Sequence, residues 1–182
     1  MESVAEHIYK TCILAIAIDS EFDFWINLQK VIIMLVIHEL EEIIIGDYTP
    51  YDSISKEKKL EMGRKAVQKI LGNLTKKEEY LHLTDEYNQW TTPEARFAKM
   101  CDKLEADLQA KRYEEEWAIN FANPKNKEAL EHEVVKKLVD QGEHTISNIF
   151  IEHDRKKLTS SEIFLEILDF VKEHELKELD DS

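Results

Sequence analysis

In the stretch VIIMLVIHELEEIIIGDYTP, Val31 to Pro50, the first fifteen residues, to Ile45, place one imidazole and three carboxylates inside an otherwise apolar run. Buried charges are costly unless they are paired or bind a metal, so His38, Glu39, Glu41 and Glu42 ask for a chemical reason. At helical spacing Val31, Leu35, His38, Glu42 and Ile45 share a face, which turns a histidine and a carboxylate inward with the aliphatic residues. The plain alternative is a satisfied core histidine beside a solvated acidic stripe. Gly46 suits the residue just past a helix, and Tyr48-Thr49-Pro50 cannot continue one, so Asp47 is expected on a turn beneath the His38/Glu42 face, placed for proton transfer.

Two other segments carry chemistry-bearing residues. Ser3 and Glu6 have capping-box spacing, and the helix they open, running to about Asp19, puts His7 on a seam with Val4, Thr11, Leu14 and Ile18. In TTPEARFAKMCDKLEADLQAKRYEEE, Thr92 can cap, Pro93 fits the first helical position, and Glu94 suits the positive end of the dipole. Phe97, Cys101, Leu104 and Leu108 form the apolar stripe there, with Asp102 on its flank; by itself an aspartate in that place is usually exposed.

The elements that must position these residues read as helices throughout. Four glycines and three prolines in 182 residues leave little material for tight turns, and 43% hydrophobic against 34% charged is a globular balance. The expectation is an all-α, compact single-domain bundle over residues 1–178 with a frayed acidic tail at 179–182. After the first helix, Ser20–Asp23 reads as a connection and Phe24–Ile45 as one long helix. Lys56–Leu71 reads as a helix ended by Gly72, and Thr75/Glu78 as a capping box for a helix towards Trp90. Asn126–Gln141 is expected to stop at Gly142, Thr145–His153 to form another helix, and Thr159/Glu162 to open a last one over Ser161–Leu176.

Composition excludes several function classes. Cys12 and Cys101 lack ligand or redox spacing, and no apolar run reaches the roughly 18 uncharged residues of a membrane span. A cytoplasmic protein without membrane contact is expected. The net charge of −14 speaks against nucleic-acid polymers as partners and suits a divalent cation. Glu79-x-x-His82 raises a ferritin-like reading, but that architecture needs a second such motif.

ESVAEH at Glu2–His7, IHELEE with GDYTP at Ile37–Pro50, and PEARFAKMCDKLEADLQAKRYE at Pro93–Glu114 together resemble the three signature blocks of the HD-domain metal-dependent phosphohydrolases. Within that superfamily they are most similar to the all-helical 5′-deoxynucleotidase branch, which removes phosphate from deoxyribonucleoside monophosphates. The resemblance implies one divalent cation (Mn²⁺, Co²⁺, Fe²⁺, Ni²⁺, Mg²⁺ or Zn²⁺) held by His7, His38, Glu39 and Asp102. It implies catalytic carboxylates at Glu42 and Asp47, four and nine residues after His38. Two imidazoles and two carboxylates leave positions on such an ion for a water and a phosphate oxygen. Glu42 would orient or deprotonate the water, and Asp47 would hydrogen-bond the sugar or protonate the leaving 5′-oxygen.

The sequence departs from the family pattern twice. Glu39 stands where the family has aspartate, adding about 1.5 Å of reach. Family members also carry a leading helix that supplies an arginine for the phosphate and an aromatic for the sugar; the first block here begins at Glu2, and Arg96 or Lys99 would substitute. The resemblance thus implies a phosphomonoesterase acting on a deoxynucleotide or related small phosphate, compatible with a homodimer. The alternative is a degenerate HD-fold protein that binds metal or nucleotide, or serves as an interaction module, without turnover.

Overall fold

The computed structural model describes residues 2–46, 55–119, 131 and 133–176, and the described residues form helices without strands. The chain divides into two compact units, residues 1–102 and 103–182.

In the first unit, α1 (Val4–Phe22) opens on the expected capping box. The Ser3 side chain accepts from the Glu6 amide, and the Glu6 carboxylate accepts from the Ser3 amide at 2.8 Å. Such a cap contributes about 1 kcal/mol and fixes where the helix starts, hence which face His7 occupies. The helix runs past Asp19 to Phe22 and ends where Asp23 turns left-handed with φ +45°. Thr11, Ala15 and Ile18 are buried along its seam.

The expected helix from Phe24 to Ile45 is instead two helices separated by a turn. Helix α2 (Leu28–Ile37) starts later because Asn27 is an N-cap, accepting from the Lys30 amide at 3.1 Å. Its far end is closed by its own histidine: His38 Nδ1 lies 2.6 Å from the Leu35 carbonyl, and the chain passes through a turn at 38–41 into a one-turn helix, α3 (Glu42–Ile45). Gly46, φ +75°, ends α3 and donates to the Glu42 carbonyl at 2.9 Å, as a residue free of Cβ constraints can. Val31, Met34 and Leu35 of α2 are fully buried, each worth about 1.5–3 kcal/mol.

Helix α4 (Lys56–Leu71) agrees with expectation, capped by Ser55, whose side chain accepts from the Lys58 amide. Helix α5 (Lys77–Gln89) lacks the expected Thr75/Glu78 box; Lys76 is its N-cap without a side-chain bond, because Thr75 lies in the preceding turn. Val67 and Leu71 of α4 pack with Leu81 of α5, and Leu40 from the 38–41 turn joins that cluster. Trp90 ends α5 with φ +56°. Helix α6 (Pro93–Glu115) begins as expected, the Thr92 hydroxyl accepting from the Ala95 amide at 3.2 Å. Thr92 also donates to the buried Glu86, which pairs with Lys30 at 2.5 Å, while Glu94 accepts from the Asn27 amide at 3.2 Å. These bonds tie the starts of α2 and α6 to α5.

The second unit takes up the C-terminal part of α6 with α7 (Glu133–Asp140), α8 (Ile146–Leu158) and α9 (Glu162–Glu173). Helix α7 stops ahead of Gly142, φ +101°; residues 126–130 lie outside the described set. Helix α8 continues past His153 to Leu158. Its start is held by the Thr145 cap and by Glu114, whose carboxylate accepts from the Ile146 amide at 2.8 Å. Thr159 is the C-cap of α8 rather than part of a capping box, and Ser161 is the N-cap of α9. Lys172 of α9 bridges Glu143 and Glu152, each at 2.8 Å. Residues 177–182, with the acidic tail, lie outside the described set.

Candidate metal centre

His7, His38, Glu39 and Asp102, distant in sequence, come together within the first unit, with one potential ligand atom from each inside 4.8 Å of the others. Each is delivered by a separate device. His7 comes one turn into α1, after the Ser3 cap; His38 closes α2; Glu39 lies in the turn after it; Asp102 projects from α6. His7 Nε2 is 3.2 Å from Asp102 Oδ1, and the two imidazole centroids are 5.5 Å apart.

The His38 side chain is fully buried, and its two nitrogens differ. With Nδ1 bonded to the Leu35 carbonyl, the proton of the neutral ring belongs there and Nε2 then carries the lone pair. Nε2 lies 3.0 Å from Glu39 Oε1 and 3.5 Å from Asp102 Oδ1, yet neither oxygen lies in the direction of a hydrogen bond, and Nε2 has no such partner. A buried nitrogen without a hydrogen bond, facing two carboxylates, fits a cation between them.

The electrostatics agree. Burial works against a charged His38, but Asp102 and Glu39 outweigh it and push its pKa up to about 9: without a cation the carboxylates hold a proton in its place. Burial likewise works against the Asp102 carboxylate, while the neighbouring His38 imidazole, the hydrogen bond with His7 and the charge of Lys99 hold it well below the usual range. Glu39 is also lowered, against burial, chiefly by His38, and Glu42 stands in hydrogen-bond reach of Glu39. Burial raises the neighbouring Glu41 carboxyl, with Lys59 partly offsetting it.

Tyr87, fully buried on α5, is a member of the site that the helical pattern concealed. Its hydroxyl donates to Asp102 Oδ2 at 2.9 Å, and its ring lies 5.3 Å from that of His38. It fixes the carboxylate that both histidines face. A buried aromatic within a helical repeat looks like core, so only tertiary structure exposes this role. Lys99 adds charge: Nζ lies 3.4 Å from Asp102 Oδ2 and 4.1 Å from the Tyr87 ring centroid. Arg96 instead donates to the Trp90 and Thr91 carbonyls at 3.3 and 3.5 Å. Asp47 lies outside the described residues. His82 of the Glu79-x-x-His82 pattern is 79% exposed and Glu79 54%, so that pattern lines no interior and the ferritin-like reading falls.

The HD domain family model matches residues 1–141. The chain belongs to the HD domain family. Relatives include the 5′-deoxynucleotidase HDDC2 of Dictyostelium discoideum, 34% identical over 122 residues, covering 63% of this chain and 64% of that one. The human 5′-deoxynucleotidase HDDC2 is 33% identical over 116 residues, covering 63% and 55%. The matched region spans about three fifths of the length of these relatives. Among solved structures, a "predicted metal-dependent phosphohydrolase" from Magnetospirillum magnetotacticum superposes with a TM-score of 0.56 at 27% identity, covering 87% of this chain and 76% of that one. No described helix of this HD-family chain is long and apolar enough to cross a membrane.

Proposed function

We propose that the chain is a divalent-metal-dependent phosphomonoesterase acting on deoxyribonucleoside 5′-monophosphates or related small phosphates. The observation that carries this reading is the convergence of His7, His38, Glu39 and Asp102, with His38 Nε2 buried and lacking a hydrogen bond. These four residues would hold one ion, with Mn²⁺ or Co²⁺ favoured over Fe²⁺, Ni²⁺, Mg²⁺ and Zn²⁺ as the first to test. When bound, such an ion polarises a phosphoryl oxygen and lowers the pKa of an attacking water. Residues 1–178 are read as one HD-like domain of a cytoplasmic protein, a homodimer being compatible with it.

The chain's own residues supply the rest. Glu42, in hydrogen-bond reach of Glu39, orients the attacking water and accepts its proton. Asp47 is assigned to the substrate's sugar hydroxyl or to the leaving 5′-oxygen. Lys99, beside Asp102, offers a positive charge to the substrate phosphate against the chain's net −14; Arg96, engaged with two carbonyls, is the second choice. Tyr87 and the Leu35 carbonyl hold Asp102 and His38 in orientation.

The test is phosphate release from a panel of deoxynucleoside monophosphates and an aryl phosphate, with Mn²⁺ or Co²⁺ and with chelator, at low and moderate salt. Ion-dependent release with a high KM is expected. Glu39, in place of the family's aspartate, favours one alternative, a binding module without turnover. Full ion occupancy without release, in both the native chain and Glu39→Asp, would establish it.

A further inference from the structure

Helix α4 contains an interior glycine with no turn to make. Its sequence, KEKKLEMGRKAVQKIL, is otherwise dominated by good helix formers, and glycine is the poorest of them after proline. The space beside Gly63 accounts for it. A Cβ there would lie 2.6 Å from Glu41 Oε2, 2.8 Å from Glu41 Cδ and 3.1 Å from Oε1. The whole Glu41 carboxyl group therefore rests in the gap left by the missing side chain.

Glu41 belongs to the 38–41 turn that carries His38 and Glu39 and leads directly into Glu42. Two consecutive residues of this turn are seated on neighbouring helices: Leu40 packs against the Val67, Leu71 and Leu81 cluster of α4 and α5, and Glu41 against Gly63. The charges that Glu41 meets are those of Lys59, one turn before Gly63 on the half-buried face of α4, of Lys99 and of His38, opposed by Glu39. A turn without its own helical hydrogen-bond ladder depends on such anchors for its geometry. Small displacements of ligands are also poorly tolerated by a metal centre, where supporting residues rank close to the ligands in effect.

We propose that Glu41 is a positioning residue: its carboxylate, docked against Gly63, sets the turn that presents His38 and Glu39 to the metal. This rests on the metal-centre reading above. Glycine at position 63 is the complement of that docking, so the two residues act as a pair.

The experiment is a double-mutant cycle read by Mn²⁺ affinity, measured by electron paramagnetic resonance of free Mn²⁺, together with denaturant unfolding of each protein. Gly63→Ala should weaken Mn²⁺ binding about 10-fold. The unfolding midpoint should not fall, since alanine is the better helix former and only the Glu41 carboxyl is displaced. Glu41→Ala should weaken Mn²⁺ similarly, and adding Gly63→Ala to it should have no further effect because the gap is then empty. Glu41→Gln, which keeps the shape of the docked group, should bind close to the native chain. Unchanged affinity in Gly63→Ala, or the same loss in both backgrounds, would overturn the positioning role while leaving the metal centre intact. Absence of Mn²⁺ binding by the native chain would overturn the metal centre and this inference with it.

Discussion

Helix α6 carries two aspartates removed from solvent, Asp102 half-buried and Asp107 fully buried, and they meet opposite surroundings. Asp102 receives the Tyr87 hydroxyl, faces two imidazoles and has Lys99 at its side, so its carboxylate is held charged well below the usual range. Asp107, in the second unit, is fully buried with neither oxygen hydrogen-bonded among the described residues. Burial and the charge of Asp154 push it up to about 8, and Lys103 and Lys157 offset this only in part. Burial alone therefore does not make a carboxylate a ligand. What distinguishes Asp102 is a set of groups, gathered from four other positions, that favour its charged form and place the buried Nε2 of His38 beside it.

The largest expected effect comes from removing the charge that this set supports. Asp102→Asn should abolish detectable divalent-ion binding and phosphate release together, because both histidines lose their common anionic partner; isothermal titration with Mn²⁺ checks this. Retention of full ion affinity would erase the contrast with Asp107. Next, Glu42→Gln should leave ion binding in place while slowing hydrolysis about 100-fold, as for loss of a general base. Ion loss in that variant would move Glu42 from base to ligand.

The two carboxylates also predict opposite pH behaviour. At the metal centre, the proton that His38 holds up to about pH 9 must leave as a cation enters. Mn²⁺ affinity should accordingly rise about 10-fold per pH unit between about pH 7 and 9 and then level, with proton release visible in weakly buffered titrations. At Asp107 the folded carboxyl keeps its proton to about 8 against an ordinary value of 3.8, so the folded state binds more protons than the unfolded state in that interval. Stability is then lost as pH rises from about 4 to about 8. Asp107→Asn should remove this slope, leaving stability near native at pH 4 and at least about 1 kcal/mol above native past pH 8. Denaturant unfolding across pH measures it, and a native chain with no such slope would place a partner on Asp107.

Much of the helical framework was legible in the sequence because its signals are local. The Ser3/Glu6 box, the Thr92-Pro93 start and the stops before Gly72 and Gly142 rest on residues within a turn of the element they define. The three blocks that supply His7, His38, Glu39 and Asp102 were legible through their resemblance to a family, which the HD domain match over residues 1–141 shows independently. The break in the Phe24–Ile45 run was not legible, since the helical spacing of its apolar residues continues through 38–42 without a glycine or proline; it arises where the His38 ring takes the Leu35 carbonyl and the following turn docks on α4. Tyr87, Gly63 and Asp107 were hidden for the same reason. A tyrosine in a helical stripe, a glycine in a helix and an aspartate on a helix flank acquire their meaning from residues far away in sequence.

The most direct test is the ion content of the native chain, read by anomalous scattering from crystals grown with Mn²⁺. One ion per chain is expected, bonded to His7, His38 and Asp102 at about 2.0 to 2.3 Å, with Glu39 completing the set. An ion-free centre at saturating Mn²⁺, or an ion bound elsewhere while His38 Nε2 stays unligated, would contradict that expectation.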